Sequence, residues 1–177
     1  KRIEWDHIMP ASHFGQWRQC WSHGKEAFPN QCRNKTNRQC CAKVDPEFKR
    51  MESDMHNLWP AIGELNADRS NFDYDMIPGE VKNYGACDFE VVRHGSRFDG
   101  LGLNVAEPPP AARGIIARAY KYMIQTYHLT TPCRTNTLMD IWDHDFPPTP
   151  EECLRNTKIL DVQGNNNPFI TIGCIKG

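Results

Sequence analysis

The sequence has no apolar run long enough to cross a bilayer, which predicts a globular protein. No internal repeat or low-complexity tract is present, so a repeat architecture is excluded. The 177 residues suffice for one domain with a substantial core, and two full domains are not expected. We therefore predict a single domain over residues 1–177. The chain starts at Lys1 without an initiator methionine, as expected of a processed or cropped segment.

No two cysteines have the CxxC spacing, which argues against a zinc ribbon or a thioredoxin-like motif. The chain nevertheless has eight cysteines, a high number for its length. Their even count predicts up to four disulfides and an oxidising compartment. The adjacent Cys40 and Cys41 would chelate one metal poorly, but they can bridge to different partners. The sequence leaves the connectivity open.

The chain also lacks the basic excess that is usual in nucleic-acid-binding proteins, because its formal charge is −1. Basic residues are nevertheless concentrated in Arg33–Arg38, at Lys49 and Arg50, and between Arg113 and Lys121. A neutral total charge does not exclude a basic face. For the Arg113–Lys121 charges, the simplest interpretation is a solvated helix face.

Two short segments that end in proline, His7–Pro10 and His56–Pro60, are typical of strand ends. We predict that these two strands pair, with a long insert over residues 11–54 between them. A short helix is expected to follow near Gly63. Phe72–Pro110 is expected to be mostly loop, with one strand around Phe89–Val92.

Helix-end signals define the remaining helices. Asp45 is a suitable N-cap before Pro46, and Thr149 with Glu152 forms a capping box that opens a helix ending at Gly164. Cys174 is expected to tether the apolar C-terminal tail. The predicted helices are those that begin after Asp45, cover residues 111–129, cover Thr135–Trp142, and run from Thr149 to about Gln163.

Three segments can carry chemistry: EWDH, ESDMHNLWP and GELNADRSNF. If the two strands pair and the short helix lies across them, Asp6 and Asn66 can point at one metal ion. Two oxygen ligands make a poor zinc site but a reasonable magnesium site, since Mg²⁺ usually keeps several waters. A histidine beside such an ion, here His7, can take a proton from an attacking water.

These segments also carry a resemblance. Five blocks in order, spread over most of the chain, resemble the bacterial endonuclease I family of periplasmic or secreted non-specific nucleases, in the ββα-metal (His-Me finger) group. The blocks are EWDHIMPASHFGQWRQCW, MESDMHNLWPAIGELNADRSNF, NYGAC, AEPPPAARGIIARAYKYM and VQGNNNPF.

The resemblance implies a β-hairpin and a helix that hold one Mg²⁺ against the scissile phosphate, with Mn²⁺ or Ca²⁺ as substitutes. His7 matches the general base that activates water. Asn66 matches one metal ligand. Asp6 matches the other, which is commonly Glu in the family, so the carboxylate is kept on a shorter side chain.

Two further site residues follow from the same resemblance. Glu52 matches an acidic residue near the leaving group. Arg38 is the best match for the arginine that contacts the cleaved phosphate, and Arg33 is the competing choice. His56 lies beside the site in sequence and is expected to be structural, bonding across the hairpin.

The chain also departs from the family pattern. The resemblance implies an N-terminal region that would precede Lys1, and the loop Arg93–Asn104 is longer than the family pattern. Cys32, Cys40 and Cys133 look additional to the usual set, so no family disulfide pairing is carried over.

The sequence thus predicts a disulfide-stabilised α+β domain built around a ββα-metal motif. The expected function is Mg²⁺-dependent, sequence-non-specific endonuclease activity on single- and double-stranded DNA and on RNA, leaving 5′-phosphate and 3′-hydroxyl ends. Contact would be through the phosphate backbone, by a periplasmic or secreted monomer without a membrane partner. A secreted binding or structural protein that no longer cuts is the alternative. An enzyme for another phosphodiester is a second one.

Overall fold

The computed structural model describes residues 2–79, 84–93 and 104–176. Within these ranges the strands are β1 (Ile3–His7), β2 (Leu58–Ile62), β3 (Asp73–Tyr74), β4 (Glu90–Val92) and β5 (Val105–Glu107). The helices are α1 (Ala11–Gly15), α2 (Gln19–Ser22), α3 (Gly24–Ala27), α4 (Pro29–Cys32), α5 (Asn37–Val44), α6 (Pro46–Ser53), α7 (Gly63–Arg69), α8 (Pro110–Tyr127), α9 (Cys133–Asp145), α10 (Pro150–Gln163) and α11 (Pro168–Lys176). The chain thus combines helices with small sheets in an α+β fold.

The predicted pairing of two early strands is confirmed, with different strand limits. β1 and β2 are antiparallel, with Asp6 opposite Trp59 and His7 opposite Leu58. β1 ends at His7 rather than at Pro10, and Pro60 lies inside β2 rather than at its end. Proline is acceptable there because each strand of this two-stranded sheet has an open edge. α7 starts at Gly63 as predicted and contacts both strands, which gives a ββα unit.

The stretch between Phe72 and Pro110 contains more strand than predicted. β4 confirms the expected strand, but β3 and β5 were missed, and together they form a sheet in the order β3-β5-β4. Strands of two and three residues are too short to show a period in the sequence. The expanded loop predicted at Arg93–Asn104 lies, apart from its two ends, outside the described residues.

The long helices follow their local signals. α8 and α10 agree with the predicted helices. α10 is followed by Gly164 as its C-cap, whose φ of 84° is the left-handed conformation that glycine adopts readily. α9 is longer than the predicted Thr135–Trp142. No helix in the described parts of the chain is both long and apolar enough to cross a membrane.

The interpretation of Arg113–Lys121 as a solvated face is wrong. Arg118 is 1% exposed, and its guanidinium donates two hydrogen bonds, of 2.8 and 2.6 Å, to the Glu152 carboxylate. Lys121 pairs with Asp143. Only one of the two hydrogen bonds of the predicted capping box at Thr149 forms. The Thr149 hydroxyl accepts a hydrogen bond from the Glu152 N–H, but the Glu152 side chain pairs with Arg118 instead of the Thr149 backbone. Packing of α9 against α8, together with the pair between Arg118 and Glu152 of α10, buries side chains that the helical period alone would place in solvent.

The described cysteines form three disulfides, fewer than the four allowed by the count. As predicted, Cys40 and Cys41 bridge to different partners, and Cys174 tethers the tail. Cys87 and Cys133 are free thiols in this structure. The bridges are Cys20–Cys41, Cys32–Cys40 and Cys153–Cys174.

The main hydrophobic core lies among α1, α5, α6, α8 and α9. Phe14, Phe48, Met51 and Met139 are among its fully buried members. The helices that carry Arg38 and Glu52, α5 and α6, contribute buried residues to this core, so the backbone of both helices is held by packing.

Candidate active site

One open cleft brings together four of the five predicted site residues. Its volume is about 520 Å³, and Asp6, His7, Arg38 and Asn66 all line it. These residues come from β1, α5 and α7. The cleft therefore forms where the β1–β2–α7 unit meets the insert. The fifth residue, Glu52, contacts two of the four directly.

His7 stands at the end of β1 with its ring fixed in one tautomer. Its Nε2 lies 2.7 Å from the Glu52 backbone carbonyl, and since a carbonyl only accepts, Nε2 must carry the hydrogen. Nδ1 is then the nitrogen with a free lone pair. Burial lowers the pKa of His7, which favours the neutral ring that a general base requires.

Arg38 and Glu52 form an ion pair at the edge of the cleft. The Arg38 Nε donates to the Glu52 carboxylate at 2.5 Å, and its terminal nitrogens have no hydrogen bond within the described residues. Half of the Arg38 side chain is exposed. α5 starts with a complete capping box at Thr36, and Cys40 and Cys41, both in disulfides, lie on the same helix shortly after Arg38. Arg38 is therefore held by a rigid helix.

The competing arginine lies elsewhere. Arg33 lines a different surface, together with Lys25, Lys35 and Lys43, and does not reach the cleft. Its position favours Arg38 as the candidate phosphate contact.

Asp6 and Asn66 are the cleft residues that we predict as metal ligands, and both carry side-chain oxygens. The Asn66 Nδ2 donates to Glu4 at 3.3 Å, which leaves its Oδ1 as the atom available to a cation. Burial raises the pKa of Asp6 although Arg69 lies nearby, so a bound cation would relieve the cost of its charge. A carboxylate and an amide oxygen fit Mg²⁺, which keeps much of its water shell. No group of three or more His, Cys, Asp or Glu side chains among the residues described could hold a metal.

Glu4 was missed by the sequence reasoning. It precedes Asp6 by two residues on β1, so the period of a strand places both on one face. Glu4 accepts hydrogen bonds from Arg2 and from Asn66. A Cβ on Gly63 would stand 3.1 Å from the Glu4 carboxyl carbon, so the glycine leaves room for this contact. The alternation of acidic residues in IEWDH was the signal that could have identified it.

Arg69 also lines the cleft, but its side chain is only 2% exposed. Its guanidinium donates to the carbonyls of His7 at 2.8 Å and Ile8 at 2.5 Å, and it lies 4.4 Å from the Tyr74 ring centre. Arg69 thus fixes the end of β1, including the His7 backbone.

His56 lies outside the cleft. It is buried in the 3₁₀ turn Met55–Asn57. Its Nε2 donates to the Asn165 carbonyl at 3.2 Å instead of bonding across the hairpin, and its ring centre is 4.6 Å from that of Tyr122. These contacts fit the structural role predicted for it.

The sequence model described as Endonuclease I matches residues 1–174. The chain belongs to the Endonuclease I family. The expected family resemblance is therefore confirmed over almost the whole chain.

Named relatives of this Endonuclease I chain extend the comparison. It is 43% identical over 173 residues to an extracellular deoxyribonuclease of Aeromonas hydrophila, which covers 98% of this chain and 66% of the relative. A periplasmic deoxyribonuclease of the same organism is 40% identical, with 98% and 65% covered. An endonuclease-1 of Buchnera aphidicola is 38% identical, with 99% and 62% covered. The chain thus spans slightly less than two thirds of these relatives.

The predicted compartment agrees with these names. Relatives in the Endonuclease I family are called extracellular or periplasmic, and the described part of this chain contains three disulfides, which persist in oxidising compartments. The names of the relatives and the disulfides therefore both support a periplasmic or secreted location.

Proposed function

We propose that this chain is a Mg²⁺-dependent, sequence-non-specific endonuclease that hydrolyses phosphodiester bonds of DNA and RNA. One observation carries the proposal. The His7 Nδ1 is left free as a base, because Glu52 holds Nε2–H, in a cleft that also contains Asp6, Asn66 and Arg38. The deoxyribonuclease and endonuclease names of the relatives support the substrate.

In this proposal each side chain has a separate task. The His7 Nδ1 takes a proton from water as the water attacks phosphorus. Mg²⁺ held by Asp6 and Asn66, with Mn²⁺ or Ca²⁺ as substitutes, would offset charge on the phosphate and the leaving oxygen. The free terminal nitrogens of Arg38 bind a phosphate oxygen. Glu52 orients Arg38 and, through water, stands near the leaving group.

The products would carry 5′-phosphate and 3′-hydroxyl ends. Non-specific cutting requires contacts with phosphates rather than base edges, so binding to double- or single-stranded DNA should weaken steeply with salt. The enzyme would act as a monomer, without a membrane partner.

Cleavage of supercoiled plasmid tests this function. The parent should cut with Mg²⁺, EDTA should stop it, and His7→Ala should lose about 100-fold or more, as expected for a general base. His23→Ala, at an exposed histidine outside the cleft, is the matched control and should cut like the parent. Product ends follow from whether a ligase or a 5′-labelling kinase accepts them.

The alternative is a nucleic-acid-binding protein that no longer cuts. It is favoured by one observation, that the shorter Asp6 already lies 3.4 Å from Arg69. A folded parent that binds plasmid but does not cut with Mg²⁺ or Mn²⁺ would establish this alternative. Restored cutting in Asp6→Glu would then assign the loss to the missing methylene.

A further inference from the structure

A second concave surface lies on the insert, apart from the cleft. It has a volume of about 720 Å³ and shares no lining residue with the cleft. We name it the insert surface. Its lining residues are Lys25, Pro29, Asn30, Gln31, Arg33, Asn34, Lys35 and Lys43.

In the part of the chain that the structure describes, the basic side chains of the insert surface lack the acidic partners that many other basic side chains of the protein have. Arg18 and Arg118, for example, are neutralised by carboxylates. In contrast, none of the four basic side chains of the insert surface has an ion pair within the described residues, and no carboxylate lines it. Residues 24–43 carry five basic residues and one acidic residue, in a chain of net charge −1. The remaining polar lining consists of amides, which can donate to phosphate oxygens.

The insert surface is rigid for its size. The Cys32–Cys40 disulfide joins α4 to α5. Gly24 at the start of α3 packs against it, since a Cβ there would stand 2.6 Å from the Cys40 Sγ. The basic side chains therefore project from a fixed backbone, which limits the entropy that binding would cost.

One helix connects the insert surface to the cleft. Arg38 and Lys43 both lie on α5, the first in the cleft and the second on the insert surface. Five residues along a helix correspond to a turn of about 140°. The two surfaces therefore lie on different sides of the same helix, at a fixed separation.

We propose that the insert surface binds the phosphate backbone of nucleic acid outside the cleft. It extends the contact to polymers longer than the cleft holds, and it steers them towards the reacting centre. The unpaired cations release the counterions of the phosphates they contact. The choice of nucleic acid as the ligand rests on the proposed function, whereas the binding itself needs no catalysis.

Binding to duplexes of two lengths tests the proposal. The variant is Lys25→Gln/Arg33→Gln/Lys43→Gln, in which all three side chains are exposed. Binding is measured by fluorescence anisotropy in EDTA, with the duplex checked to be intact. On a duplex of about 30 base pairs, affinity should fall about 10-fold or more, and the slope against log salt should decrease by about three. On a duplex of about 8 base pairs the loss should stay below about twofold, because the cleft alone would hold it.

A triple variant elsewhere provides the control. Lys49→Gln/Arg50→Gln/Lys158→Gln removes the same charge from exposed side chains that have no ion pair among the described residues. Equal losses in both triples would assign the effect to net charge and overturn the proposal. An equal loss on both duplex lengths would also overturn it. Unfolding curves show that each variant is folded.

The outcomes separate this proposal from the proposed function. If the parent does not cut but the insert triple weakens binding to the long duplex, the insert surface stands and the nuclease proposal fails. If the parent cuts and the insert triple binds like the parent, the insert surface fails alone. Tighter binding of a sulfated glycan than of duplex would assign the surface to another polyanion and overturn the proposal.

Discussion

At the scale of single residues, Glu52 contributes to the site in two chemically separate ways. Its backbone carbonyl fixes the tautomer of His7, and its carboxylate pairs with Arg38. A side-chain substitution changes only the second contact. Position 52 therefore links the proposed base, His7, and the proposed phosphate contact, Arg38, through one residue at the end of α6.

Glu4 offers a residue-scale prediction on metal binding. Glu4→Ala removes the acceptor that holds the Asn66 amide, so we expect Mg²⁺ or Mn²⁺ binding to weaken about 10-fold, the scale seen when a contact that orients a metal ligand is lost. Glu4→Gln keeps an acceptor oxygen and should retain most of the affinity. Calorimetric titration with metal and without nucleic acid measures both.

Arg2→Ala is the matched control for this pair. Arg2 also bonds Glu4 but is largely exposed, so its loss should leave metal affinity nearly unchanged. If Glu4→Gln loses as much affinity as Glu4→Ala, the carboxylate charge itself matters and Glu4 does more than orient Asn66.

At the scale of elements, the buried carboxylate of Asp54 joins the end of α6 to α8. It accepts hydrogen bonds of 2.7 Å from both Tyr122 and Tyr127. Burial, together with this carboxylate, raises the pKa of both phenols, so they remain protonated donors. The helix that presents Glu52 to the cleft is therefore anchored away from the cleft.

The buried ion pair between Arg118 of α8 and Glu152 of α10 gives a prediction on stability. Glu152→Gln removes the carboxylate that pairs with two nitrogens of the buried Arg118 and leaves Asp143 as its remaining acidic partner. We therefore expect a loss of roughly 3 kcal/mol in the free energy of unfolding, the lower end of the range for breaking a buried pair. Asp140→Asn is the control, because this carboxylate is 69% exposed and pairs only at the surface. Urea denaturation measures both, and similar small losses would contradict a dominant buried pair.

His56, in the turn before β2, should make the stability of the fold depend on pH. Burial lowers its pKa, and its Nδ1 has no hydrogen-bond partner within the described residues. Below about pH 6.5 the unfolded chain binds a proton that the native ring does not, so stability should fall as pH decreases towards the folded-state pKa. The slope reaches at most about 1.4 kcal/mol per pH unit for one site.

Melting curves between pH 8 and 5 check this prediction. His56→Gln should show a shallower decline than the parent, although His7 and His13, whose pKa values burial also lowers, still contribute. His23→Gln removes an exposed histidine and is the control. An unchanged decline in His56→Gln would show that His56 does not couple stability to pH.

At the scale of the whole molecule, two disulfides allow a matched comparison. Cys20–Cys41 and Cys153–Cys174 both span 21 residues, so chain entropy assigns each about 3 kcal/mol. Only the first holds α5, the helix of Arg38. We expect both double-alanine variants to lose similar stability, and only Cys20→Ala/Cys41→Ala to lose cleavage activity while still folded.

Urea titration and plasmid cleavage at a low temperature, where both variants are native, measure the two effects. Equal loss of activity in both would mean that global stability, rather than the position of α5, controls the site. Retained activity in both would mean that the Cys32–Cys40 bridge is enough to hold Arg38.

Signals in the sequence determined several strands and helix ends of this protein. The EWDH segment and its partner strand, the start of α7 at Gly63, and the ends of α10 were all predictable. N-caps and a left-handed glycine depend on neighbouring residues, so the sequence itself indicates them. The pairing of β1 with β2 joins distant residues and was expected from the two segments that end in proline. The family blocks added the candidate residues His7, Asp6 and Asn66, whose meeting in one cleft the structure shows.

Only the tertiary structure decided which side chains meet across long separations. It buried Arg118 against Glu152, separated Arg33 from Arg38, limited the described disulfides to three, and brought Glu4 to Asn66. Burial and pairing depend on which elements pack together. Residues that are 34 or 62 positions apart leave no periodic signal of that contact in the sequence.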